Sequence, residues 1–195
     1  FHTINEFAHG VAITKFNNFY GAISEAGVEV IPCNYSGCFY LGQELMAEEM
    51  DAKWGVVSLE GKEVIPVKYE EIENRYRVEK YISVKSNGMW GLVNLKDKII
   101  IPFEYEYSLY GGNGLFAASK NGSAGFINKK NETVIPFQYT LTLDFYNDMA
   151  EVYLDTLVGF IDIHNNAIIP IRFDYVYELE HDLVVVSENN KYGIW

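Results

Sequence analysis

Apolar residues fall in short runs along this chain, broken every few positions by Asn, Asp, Gly or Ser, and the spacing of the breaks repeats. Runs rich in β-formers occupy residues 11–15, 45–49, 81–85, 115–119, 149–153 and 183–187, and their length predicts strands rather than helices. An Asn or Asp follows each run, at Asn17, Asp51, Asn87, Asn121, Asp155 and Asn189, and Gly88 and Gly122 follow two of these. Asn-Gly supplies the positive φ angles of a type I′ hairpin turn, so Asn87 and Asn121 are expected to be left-handed. A second strand then carries an aromatic or small residue before a glycine, as in Tyr20, Trp54, Trp90 and Tyr192. It ends at Ser24, Ser58, Asn94, Asn128 or Asp162, whose side chains can accept hydrogen bonds from a turn backbone. Gly27, Gly61, Asp97, Asn131 and Asn165 follow, all residue types that tolerate the left-handed turn of a bulged hairpin. The third strand reads VIP or IIP. Its proline has no donor, so it must end the ladder or face away from a neighbouring strand. An aromatic three residues later, Tyr35, Tyr69, Tyr105, Tyr139 or Phe173, opens a segment read as a fourth short strand.

The pattern is a repeat. Gly21, Gly55, Gly91, Gly125, Gly159 and Gly193 are spaced by 34, 36, 34, 34 and 34 residues (55−21, 91−55, 125−91, 159−125, 193−159). Pro32, Pro66, Pro102, Pro136 and Pro170 lie eleven residues after the first five glycines and are all the prolines present. Such self-similarity predicts stacked supersecondary units. The fold expected is all-β, one repeat domain over residues 1–195, built from about six 34-residue units of three or four short antiparallel strands. Radial closure would make it β-propeller-like, and an open β-solenoid array is the alternative. Phe1 falls in the column of Tyr35, and the chain starts without a methionine, which suggests a segment of something longer.

The stretches KWGVVSLEGKEVIPVKYEEI (53–72) and MWGLVNLKDKIIIPFEY (89–105) resemble the bacterial WG, or KWG-type, repeat. Weaker copies cover nearly all of the remaining chain. Ala124-Gly125 and Val158-Gly159 depart at the aromatic position. The resemblance implies a β-propeller or related array, often joined to other domains, that acts as an interaction module and brings no catalytic residues with it.

Composition narrows the function further. A net charge of −12 repels a phosphate backbone and argues against nucleic acid, favouring basic or neutral partners. No apolar run is long enough for a helical membrane span, and neither a secreted nor a cytoplasmic setting is indicated. Cys33 and Cys38 read as reduced, partly buried thiols, since no further metal ligands lie nearby in sequence. The recurring tryptophans read as packing residues beside glycine. His2, His9, His164 and His181 are scattered. Carboxylate pairs such as Glu48 with Glu49, Glu70 with Glu71 and Glu178 with Glu180 read as solvated faces, and no motif implies a cofactor.

Three functions fit: a non-catalytic protein-interaction scaffold, which leads; a cell-surface carbohydrate-binding module, which should expose aromatics at one recurring position; and a propeller-type glycoside hydrolase, which needs a convergent carboxylate pair. Equivalent positions diverge fifteen residues before each anchor glycine, at Glu6, Tyr40, Tyr76, Tyr110, Asp144 and Glu178. Tyr40, Tyr76 and Tyr110, with Arg75 and Arg77, form the candidate binding site, placed in a loop that absorbs the two-residue insertion. The competing reading packs those tyrosines under their own loops.

Overall fold

In the computed structural model the described residues are 3–42, 44–73, 81–112, 114–146, 148–178 and 183–195. They form six antiparallel meanders. The first holds β1 (Thr3–Ile4), β2 (Val11–Phe16), β3 (Phe19–Ser24) and β4 (Glu29–Tyr35), and the second β5 (Gly37–Gly42), β6 (Leu45–Met50), β7 (Lys53–Ser58) and β8 (Glu63–Tyr69). The third holds β9 (Glu71–Ile72), β10 (Tyr81–Ser86), β11 (Met89–Asn94) and β12 (Ile99–Tyr105), and the fourth β13 (Tyr110–Gly112), β14 (Leu115–Lys120), β15 (Ser123–Asn128) and β16 (Thr133–Tyr139). The fifth holds β17 (Leu141–Tyr146), β18 (Met149–Leu154), β19 (Leu157–Ile161) and β20 (Ala167–Phe173). The last has three strands, β21 (Tyr175–Glu178), β22 (Val184–Glu188) and β23 (Lys191–Ile194).

Turn chemistry sets this register. Asn17, Asp51, Asn87, Asn121, Asp155 and Asn189 all have φ between 48° and 53°. Gly27, Gly61, Asp97, Asn131 and Asn165 close the next hairpin at φ between 58° and 80°. Asn94 Oδ1 accepts from the amides of Lys96 and Lys98 at 2.9 and 3.0 Å, and Asn128 and Asp162 do the same in their units.

The anchor glycine lies under a bulge. In the first sheet Tyr20 pairs with Tyr35 and Ala22 with Ile31, so Gly21 alone stands opposite Pro32, Cys33 and Asn34. The same register recurs at Gly55, Gly125 and Gly159. A Cβ on Gly21, Gly55, Gly91, Gly125 or Gly159 would lie 2.5 to 2.8 Å from the carbonyl oxygen of the Ile before the proline. That contact is too close for any side chain. The proline therefore does not end the ladder: the strand arches over the glycine and rejoins at the aromatic. Because the arching strand is the last of its sheet, the missing N–H removes no ladder bond beyond it.

The isoleucines of the Ile-Pro pairs are buried, Ile31, Ile65, Ile101 and Ile135 completely. The strand after the aromatic belongs to the following sheet, and the residue between them ties the sheets together. Ser36, Glu70, Glu106, Thr140 and Asp174 each donate a backbone N–H to Glu49, Lys85, Ser119, Tyr153 and Ser187 at 2.7 to 3.0 Å. The chain divides into two compact units, Phe1–Phe103 and Glu104–Trp195. The first contains the cores around Ile31 and Met46 and around Ile65 and Val84, and the second those around Phe126 and Ile135 and around Ile169 and Phe173.

Adding a β-branched side chain under an arch must push backbone rather than a flexible tip, so Gly125→Val is expected to destabilise by about 2 to 3 kcal/mol or more. A urea unfolding midpoint within error of the parent would refute the arch as the reason for the glycine.

Candidate functional site

Tyr40 and Tyr110 lie in strands, not in the loop expected from the sequence. Tyr40 pairs with Met46 across β5 and β6, and Tyr110 with Ala117 across β13 and β14. The reason is that the segment after each aromatic pairs with the next unit's first strand instead of crossing between units free. Both side chains are half-buried. The Tyr40 ring stacks on His9 with centroids 4.5 Å apart and an interplanar angle of 13°. The Tyr110 hydroxyl donates to the Thr142 carbonyl at 2.8 Å. Arg75, Tyr76 and Arg77 lie outside the described residues. Each of the two described tyrosines is thus half-buried and held by one contact of its own.

A second tyrosine column is structural. The hydroxyls of Tyr69, Tyr105 and Tyr139 donate to the turn residues Asp97, Asn131 and Asn165 of the following unit at 2.6, 2.6 and 2.5 Å. Burial, and then Glu104, pushes the Tyr105 hydroxyl up to about 12, so it stays a donor. Tyr35 breaks the series because its turn partner is Gly61, which has no side chain.

Instead Tyr35 bonds to Glu48, the main feature that sequence reasoning missed. Glu48 is only 3% exposed and its Oε2 has no hydrogen-bond partner among the described residues. It belongs to the core, not to a solvated face. Its column holds Thr14, Val84, Ala118, Val152 and Val186 in the other units, so the lone acid in an apolar column was a signal available in the repeat alignment. Around it, Cys38 pairs with Glu48 across the strands, and Thr14 Oγ1 lies 3.3 Å from Cys33 Sγ. The thiols are free and half-buried, as expected. Burial, followed by Glu48 and Cys33, pushes the Cys38 thiol up to about 12. Burial also holds the Glu48 carboxyl above the usual range.

The other carboxylate pairs differ in their surroundings. Glu70 accepts from the amides of Asn87 and Gly88 at 3.1 and 2.8 Å, which with Lys53 lowers its pKa. Glu106 caps the Gly122 amide in the same way, whereas Glu71 meets Lys85 at the surface. Among the described residues no cluster of His, Cys, Asp and Glu is arranged to hold a metal, and no helix is long and apolar enough to cross a membrane. Tyr107 and Tyr175 occupy one repeat position, at the start of the segment leading into the next sheet, and are 66% and 58% exposed.

Six repeated antiparallel meanders of three or four strands define an all-β repeat protein of the β-propeller-like class. The solved structure of Hsv2p from Kluyveromyces lactis matches with a TM-score of 0.57 at 9% identity, over 95% of this chain and 70% of its own. A eukaryotic initiation factor matches with a TM-score of 0.59 at 12% identity, over 95% of this chain and 59% of its own. At such identities the likeness shows the fold alone. The WG containing repeat model matches residues 54–90, 90–123, 125–155 and 159–192, and the chain belongs to that family. No curated protein sequence matches it.

Because the folded Glu48 carboxyl titrates above an unfolded glutamate, the protonated form favours the fold. Its contribution is full below the ordinary carboxylate range and is lost as pH rises through the raised folded value. Glu48→Gln is a permanently neutral near-isostere, expected to match the parent at about pH 4 and to exceed it in urea midpoint at about pH 8. A parent that gains on the variant as pH rises would show the carboxylate to be stabilised in the fold.

Proposed function

We propose that the chain is a non-catalytic protein-interaction scaffold whose binding face includes the divergent column of Tyr40, Tyr76 and Tyr110 with Arg75 and Arg77. The observation that carries the reading is the contrast between columns. Where units must join, the same chemistry recurs, as in the buried tyrosines bonded to Asx turns. At the divergent column three consecutive tyrosines are flanked by acids, and Tyr40 and Tyr110 are held half-exposed by the His9 ring and the Thr142 carbonyl. An aromatic immobilised before binding loses little entropy on association. The carboxylates of Glu70 and Asp162 accept from turn backbones, which supports a role without chemistry.

The carbohydrate-binding reading keeps one specific support, the two exposed tyrosines at a single repeat position, Tyr107 and Tyr175. A glycan array separates the two: sugar binding lost on Tyr107→Ala or Tyr175→Ala would favour it.

For the scaffold, the joint substitution Tyr40→Ser, Tyr76→Ser and Tyr110→Ser is expected to abolish capture of protein partners from the native source. The strand circular dichroism signal should persist. Undiminished capture by the folded variant would refute the site.

A further inference from the structure

The side chain that caps the two-residue hairpin differs between units. Thr140 Oγ1 and Asp174 Oδ2 accept from the first turn residue, Asp155 and Asn189, each at 2.8 Å. Glu70 and Glu106 occupy the same column, and their longer side chains reach the second turn nitrogen. Gly88 N donates to Glu70 Oε2 at 2.8 Å, and Gly122 N to the two oxygens of Glu106 at 3.0 and 3.2 Å. Glutamate stands in this column only in the two units whose turn reads Asn-Gly. The turns Asp51-Ala52, Asp155-Thr156 and Asn189-Asn190 go with Ser36, Thr140 and Asp174 instead.

In an Asn-Gly pair that second nitrogen is the reactive one. Once it has lost its proton it can attack the asparagine side-chain amide carbon, since glycine has no side chain to hinder the approach. An N–C bond forms, closing a succinimide ring, and ammonia leaves; water then opens the ring at either carbonyl to give aspartate or isoaspartate. Both turns are exposed, and nothing lies within 4 Å of where a Cβ would stand on Gly88 or Gly122. We propose that Asn87 and Asn121 are self-modification sites held unreacted by the carboxylates of Glu70 and Glu106. A carboxylate that accepts the glycine N–H favours its protonated form and opposes a second negative charge beside it. It also ties down a turn in which both asparagines are left-handed, at φ 53°. The Gly88 amide, then the Asn87 amide and Lys53, hold the Glu70 carboxyl below its usual range, so the cap is ionised at neutral pH. Aspartate suits these turns, as Asp51 and Asp155 show at φ 52°. Isoaspartate routes the main chain through Cβ and breaks the pairing of Ser86 with Met89 or of Lys120 with Ser123. Release of a cap thereby becomes a permanent change in its hairpin.

For the test, the 195-residue chain is incubated at mildly alkaline pH, below its unfolding temperature, beside the capped peptides KSNGMW and KNGSAG. Aspartate and isoaspartate at each site are followed by peptide mapping with mass spectrometry. Both sites should convert about tenfold or more slowly in the folded chain than in the peptides, because attack requires local opening. Glu70→Ala should speed conversion at Asn87 by about tenfold or more, the scale of a lost hydrogen bond to a charged group, and leave Asn121 unchanged. Glu106→Ala should do the reverse. Glu70→Gln keeps the reach of the side chain without its charge and should fall between the parent and Glu70→Ala. In each variant the untouched site reports whether the fold is intact. Parent and peptide rates that agree, a Glu70→Ala rate at Asn87 no higher than the parent's, or equal acceleration at both sites would each overturn the proposal. Loss of partner capture in the Tyr40, Tyr76 and Tyr110 variant does not bear on it, since that variant leaves both caps in place.

Discussion

Everything in the repeat depends on one close approach, that of the isoleucine carbonyl to the glycine of the second strand. At 2.5 to 2.8 Å from where a Cβ would be, the third strand can pass only over a residue with no side chain. The proline beside it suits the same geometry, since it needs no hydrogen bond where the strand lifts away. Passing over in this way turns the isoleucine inward, where it is buried in each of the five sheets, and brings the aromatic back into register. Glycine, isoleucine, proline and aromatic are therefore one device rather than four preferences.

The aromatic then does the joining. Once the arch has placed Tyr69, Tyr105 and Tyr139, each hydroxyl meets the left-handed Asx of the next unit, so the residue that closes one unit's hairpin also receives its neighbour's hydrogen bond. The next residue adds a backbone bond to the following sheet, and Glu70, Glu106, Thr140 and Asp174 extend it with a side-chain cap on the hairpin amides. The buried tyrosine bonds are each worth about 1 kcal/mol net. Their effect comes from recurrence, because a unit that fits its neighbour at one position fits it at all of them.

Within the first compact unit that regularity is interrupted. Gly61 takes the place of an Asx, Tyr35 loses its turn partner, and Glu48 replaces an apolar side chain in the core column. With Thr14, Cys33 and Cys38 beside it, this is a buried polar seam where other units carry aliphatic packing. A carboxyl there is tolerable because protonation and the Tyr35 hydroxyl reduce the cost of burying it.

The period, the hairpins and their left-handed residues are legible in the residues alone, because turn conformation is decided by a few local atoms and Asn, Asp and Gly announce it. The reading of the thiols as reduced and partly buried agrees with the structure. Why the glycine must be glycine was not legible, since the atom that forbids a side chain is a backbone carbonyl ten residues away, placed by an arch that no propensity encodes. The strand assignment of Tyr40 and Tyr110 was missed for a related reason: their pairing partner belongs to the following unit, and a short alternating segment reads equally well as loop or edge. Glu48 shows the limit most clearly. Its neighbour Glu49 has the same chemistry, and only the alternation of a strand packed on both faces sends one carboxyl into the core and leaves the other near water.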